Sequence, residues 1–150
     1  RPLIVIVHKF DVWRPLLRKS PKCLDEAVKT NENGVACLDM DLIQQVSRDI
    51  EELLMEFGPA IVTAARGFAS EVIFIPVTAT GRSPIVAGTD TSGRADLRFD
   101  PSQIQPRWVE LPVFYALHRA GLRSGKAPLI PAFTPPRGDD GSSGGKRRKP

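Results

Sequence analysis

At 150 residues and 16.5 kDa the chain has the length of one domain, and 41% hydrophobic residues suffice for a core. The net charge of +4 sits mostly in the tail: from Arg137 on, five basic residues face two acidic ones (+3), leaving +1 for the body, so charge does not argue for a nucleic-acid partner. No apolar run nears the ~20 residues that span a bilayer, two cysteines make no disulfide framework, and His8 and His118, the only histidines, lack zinc spacing.

"LIVIV", residues 3 to 7, is a continuous aliphatic run, the pattern of a strand buried on both faces in a parallel sheet. It opens into His8-Lys9-Phe10-Asp11. Residues 14 to 38 have weak periodicity and several Pro, Asn and Gly residues, which predicts a long, partly helical insertion. From Asp39 the pattern becomes helical. Leu42, Ile43, Val46, Ile50, Leu53, Leu54 and Phe57 share a stripe, with Asp39 or Asp41 as cap and Gly58-Pro59 as stop. A shorter helix of small residues is predicted over 60 to 69.

"EVIFIPVTATG", residues 71 to 81, is a second buried run ending in the polar turn Thr78-Ala79-Thr80-Gly81. Strand, helices, strand is a βαβ unit, whose crossover is right-handed almost without exception. Beyond it lie a short hairpin around Thr91-Ser92-Gly93, an extended Ala95 to Phe99, and a helix over 108 to 122. That helix is expected to bury Val109, Pro112, Val113, Ala116, Leu117 and Ala120. Trp13 and Trp108 read as core or interface aromatics, His118 as a satisfied or surface histidine, and Glu51-Glu52 as a solvated helix face. Residues 126 to 150 turn Pro-rich, then Gly/Ser-rich, then basic, the composition of a disordered tail. Cys23 and Cys37 read as reduced thiols of a cytoplasmic protein. The abrupt entry from Arg1 into a core strand suggests an excerpt of a longer chain.

Ligands in open parallel sheets bind at the carboxyl ends of the strands. Both polar turns lie at such ends and can face one pocket. Here the residues carry a resemblance. "VIVHKFDVW" resembles the base-recognition motif of P-loop GTPases, an apolar strand followed by Asn/Thr-Lys-x-Asp. "FIPVTATG" resembles the later GTPase motif, a strand followed by Ser-Ala and often a glycine. The likeness covers roughly the C-terminal half of a GTPase domain, in a bacterial GTPase-like protein with insertions. It implies an α/β fold, a mostly parallel sheet flanked by helices, as part of a P-loop NTPase domain. Residues 1–125 would form that part, with 12–38 as an insertion.

The resemblance also implies roles. Asp11 would accept from guanine N1–H and the exocyclic amine, a pairing that rejects adenine. The alkyl stem of Lys9 would lie over the purine. Ala79 would give its backbone N–H to guanine O6, and Thr78 would hydrogen-bond inward and hold the loop. His8 departs from the family's commonest form, in which Asn donates to N7. A histidine N–H can donate in the same direction through a larger ring, so the departure bears on affinity and specificity more than on fold. The implied ligand is GTP or GDP with Mg²⁺.

The phosphate-binding Gly-x-x-x-x-Gly-Lys-Ser/Thr is missing. Counted back from Gly145-Lys146 in "GDDGSSGGKRRKP", its first glycine falls on Asp140, and Arg147 takes the place of Ser/Thr. Phosphate binding, metal binding and hydrolysis are therefore expected upstream of Arg1, with this chain by itself inactive. Two other readings stand beside this one. One is a GTPase-like scaffold that binds no nucleotide. The other is a nucleic-acid or acidic-surface binder working through Lys146 to Lys149, which the setting of a Gly/Ser tail disfavours.

Overall fold

The computed structural model describes residues 2–17, 26–124, 127–128 and 130–134. The aliphatic run becomes strand β1 (Leu3–Val7), and the second run becomes β4 (Val72–Pro76). They pair in parallel, Leu3 opposite Val72 through Val7 opposite Pro76. β4 is buried along its whole length, whereas every residue of β1 keeps some exposure. The chain between them carries a hairpin of β2 (Val28–Thr30) and β3 (Ala36–Leu38), then helices α2 (Met40–Phe57) and α3 (Pro59–Phe68).

α2 follows the sequence pattern closely. Leu42, Ile43, Val46, Ile50, Leu53 and Leu54 are buried, while Phe57, at the end of the stripe, is exposed. Asp39 is the cap: its side chain accepts from the Leu42 N–H at 3.0 Å, satisfying one of the donors a helix start leaves unpaired. Lys29 Nζ, on β2, donates to the other carboxylate oxygen of Asp39 at 2.6 Å and lies 4.9 Å from the Phe133 ring centre. One carboxylate thus ties the hairpin to the start of α2. Partial burial raises the Asp39 pKa, but the Lys29 bond and charge and the Leu42 N–H outweigh it, and the carboxyl sits below its ordinary 3.8. A depressed carboxyl pKa contributes stability above the unfolded value, and that contribution fades as pH falls through the folded one. Asp39→Ala is therefore expected to cost about 1 kcal/mol at neutral pH. The difference from wild type should shrink in urea melts run below pH 3.8. An unchanged difference at low pH would mean that the carboxylate charge contributes nothing to the cap.

α3 begins at Pro59, just after Gly58, and buries Val62 and Ala65. Arg66 joins it to α2 by two bonds to Glu51, at 2.8 and 2.7 Å, on the solvated face expected for Glu51. Downstream, β5 (Ile85–Thr89) and β6 (Ala95–Arg98) form an antiparallel hairpin around the expected turn. The last helix, α4, is shorter than the sequence suggests, Leu111–Arg119. Its buried face is also different. Leu111 and Tyr115 point inward, while Val109 and Val113 are exposed. The reason lies just before it: Trp108 takes a positive φ of 56° and is itself buried, which redirects the chain and rotates the helix face.

The expected mostly parallel sheet is present as one parallel pair, β1–β4, and the other three strand pairs among the described residues are separate antiparallel sheets. The fold is mixed α/β. The described part of the 12–38 insertion is the β2–β3 hairpin after a short 3-10 turn, Arg14–Leu16, and it places Ala27 and Leu38 in the shared core. Of the stretch expected as a disordered tail, residues 127–128 and 130–134 are described. β7 (Arg123–Ser124) pairs with β8 (Ala127–Pro128), and Leu38 N–H donates to Pro131 O at 2.9 Å while its C=O accepts from Phe133 N–H at 2.7 Å. His118 Nδ1 meets Ile130 O at 2.8 Å, so this histidine is satisfied by the same strap. Ile130 of this strap packs against the core. Cys37 is a free, buried thiol; Cys23 and residues 135–150 lie outside the described part. Among the described residues no helix is long and apolar enough to cross a membrane.

Candidate functional site

The two polar turns meet at the carboxyl ends of β1 and β4. The ladder runs one step past the strands, Val77 N–H donating to Val7 O at 2.9 Å. Then Phe10 N–H donates to Val77 O at 3.1 Å, holding the first turn against the end of β4. Phe10 is buried while its neighbours His8 and Lys9 are exposed. An apolar side chain in the middle of a charged turn thus fastens that turn to the core. Lys9 adopts the left-handed region, φ 55° and ψ 42°, and a short helix, α1 (Phe10–Trp13), starts directly after it. For a side chain other than glycine this backbone is strained by about 1–3 kcal/mol, sustained by the packing on either side.

Thr78 is the junction. It is buried, and its hydroxyl donates to Asp11 Oδ1 at 2.7 Å while accepting from the Gly81 N–H at 3.0 Å. One hydroxyl therefore sets the position of Asp11 and the curvature of its own loop, across 67 residues of chain. An ionised carboxylate has about four acceptor positions, and among the described residues only Thr78 hydrogen-bonds Asp11. Ala79 stands exposed at the apex, with no acceptor for its N–H among the described residues.

The other side of the loop is held by a strap, residues 105–107. Thr78 and Arg107 exchange backbone bonds at 3.2 and 2.9 Å, and Gln105 N–H donates to Thr80 O at 3.0 Å. Gly81 lies between, at φ 73°, where an added Cβ would come 2.2 Å from Gln105 O. Gly81→Ala should therefore displace the loop or the strap. We expect a loss beyond the ~1–2 kcal/mol of a left-handed alanine, while Gly93→Ala, with a similar φ of 81° and open space around it, loses that much alone. Parallel urea melts of the two variants measure the difference; equal losses would show that the strap yields freely.

Of the five residues implicated by the sequence, Asp11 and Thr78 touch, and Ala79 adjoins them. His8 and Lys9 lead into the same turn, but no hydrogen bond joins either to the Thr78 loop. His8 instead lines an apolar hollow with Trp13, Phe57 and Ile61. Clefts of about 330 and 850 Å³ are lined by other residues. Among the described residues no three His, Cys, Asp or Glu side chains converge to hold a metal. The Gln105–Arg107 strap was not legible beforehand, since a bridge made by backbone atoms carries no side-chain signature. The Phe10 anchor was missed as well, although a lone aromatic inside a polar turn is a signal that could have found it.

Comparison with protein-family models, with curated proteins and with solved structures finds no match to this chain.

Proposed function

We propose that this chain supplies the base-reading part of a guanine-nucleotide-binding, P-loop GTPase-like fold. The observation that carries the reading is the 2.7 Å bond from Thr78 to Asp11. It holds a carboxylate with acceptor capacity to spare beside an exposed backbone N–H at Ala79, at the carboxyl end of a parallel strand pair. A carboxylate that accepts two donors next to an N–H that meets a carbonyl is complementary to guanine, and it mismatches adenine, which offers an acceptor and an amine there. Lys9, exposed at the same turn, has a stem long enough to lie over a base. No Gly-x-x-x-x-Gly-Lys-Ser/Thr occurs in the chain, so phosphate and Mg²⁺ binding, and any hydrolysis, are assigned to residues outside it.

The placement of His8 on the apolar hollow favours a second reading, a GTPase-like interaction domain without a nucleotide. Titration of the labelled chain with millimolar GMP and AMP separates the two. Base reading requires that the amides of Lys9, Ala79 and Gly81 shift with GMP and not with AMP. If neither nucleotide moves them, or both do equally, the interaction domain is the better description.

A further inference from the structure

The hairpin β5–β6 stands apart from the core and is fastened to the Thr78 loop. All five residues of β5 are exposed, and neither strand contributes to the core or to the apolar residues packed against it. Val86 and Leu97, opposite each other in the register, are 66% and 56% exposed. Both legs of the hairpin run into the loop. One leaves directly from Gly81, where the Thr80 hydroxyl donates to Arg82 O at 2.8 Å. The other returns through a 3-10 turn, Pro101–Gln103, to Gln105, whose N–H donates to Thr80 O at 3.0 Å. Arg82 is the clasp between the legs. Its guanidinium donates to Gln103 Oε1, and its charge acts on the Asp100 carboxylate that caps the turn. Beyond Gln105, Arg107 and Thr78 exchange backbone bonds, and Thr78 carries the hydroxyl that positions Asp11. A continuous set of hydrogen bonds thus leads from the root of the hairpin to Asp11.

A two-stranded hairpin with no covered face is marginally stable in water, and elements with few buried contacts open at the lowest free-energy cost in a protein. While the strands are zipped, Gly81 and Gln105 are held side by side. Once they unzip, the chain from Ser83 to Ile104 becomes a free loop, and returning Gln105 to Thr80 costs the entropy of closing it. The hairpin is therefore an element with two states, and the bonds at its root belong to one of them. We propose that β5–β6 is a regulatory arm: its folding holds the Thr78–Gly81 loop in its bonded shape, and its opening loosens that loop. Under the base-reading assignment, on which this consequence rests, a zipped arm favours bound nucleotide and an opened arm releases it. By linkage, bound nucleotide steadies the arm in return.

Val86→Pro, which unzips the strands, and Arg82→Ala, which opens the clasp, test this in the full chain, with Val86→Ala as a control that keeps the pairing. Residue-resolved amide exchange is the first readout. In both test variants the Thr78, Gln105 and Arg107 amides should exchange faster by about fivefold or more, the low end of ordinary coupling between sites. The Phe74 amide, bonded to Ser47 in the core, should be unchanged. Arg82→Lys, which keeps a charge beside Asp100, should recover part of the lost protection. Titration with GMP is the second readout, and affinity should fall by the same factor as the protection. Unchanged protection at Thr78, Gln105 and Arg107 in a Val86→Pro chain whose strand amides exchange freely overturns the proposal, whether or not GMP binds. Equal GMP affinity in wild type and variants, despite lost protection, overturns the arm as a regulator of the site. Lost protection in a protein that never binds GMP upholds the hold of the arm on the loop and removes the base-reading assignment instead.

Discussion

Asp11→Asn in the intact protein is expected to exchange the preferred base, with affinity for GDP falling about 100-fold and affinity for xanthosine diphosphate rising. The carboxylate accepts two hydrogen bonds from guanine in the proposed geometry, each charge-assisted and worth about 1.5 kcal/mol at the low end suited to a half-buried group. An amide presents one acceptor and one donor. It repels one of the guanine donors and pairs with the extra carbonyl of xanthine. The Thr78 bond survives the substitution, because an amide oxygen still accepts from the hydroxyl. The loop geometry is thereby retained and the effect falls on base choice. Calorimetric titration of both nucleotides into wild type and variant, in Mg²⁺, reads the exchange. Wild-type protein that binds GDP while the variant shows an equal loss for both nucleotides would mean that Asp11 acts through the loop and not on the base.

Phe74→Ala is expected to cost about 3–5 kcal/mol. Phe74 is fully buried at the centre of β4, paired with Val5 and covered by α2. Truncating it removes apolar area and leaves a void between sheet and helix, while the backbone bond to Ser47 remains. Since domains of this size are stable by about 5–15 kcal/mol, the variant should lose a large share of the total. Phe68→Ala is the control: that ring, at the end of α3, is 82% exposed, and its loss should stay within about 0.5 kcal/mol. Urea midpoints for the two variants give the comparison. Similar shifts would contradict the placement of β4 at the centre of the core.

Where a residue's burial follows from its own neighbours along the chain, the fold could be read in advance. The stripe from Leu42 to Leu54 repeats every three to four residues and predicts both α2 and its inner face, and Asp39 announces the start. Two aliphatic runs predict β1 and β4, and the polar residues after them predict turns at one end of a sheet. α4 shows the limit. Counting apolar residues selects Val109 and Val113, but a helix of nine residues is oriented by its entry, and the positive φ of Trp108 turns Leu111 and Tyr115 inward. Likewise the Pro-rich stretch after 126 looks like a tail by composition, yet Pro131 and Phe133 bond the backbone of Leu38 and Ile130 packs against the core.

The candidate site divides in the same way. Residue identity alone determined which groups are available, a carboxylate at 11, a lysine at 9, a hydroxyl at 78 and a small residue at 79, because donor and acceptor character belongs to the side chain wherever it goes. Tertiary structure alone decided that Thr78 reaches Asp11 and that Gln105 leaves no room for a side chain at Gly81. Those facts depend on which strands lie side by side, and adjacency between segments 67 residues apart is set by packing of the whole chain and not by any local pattern.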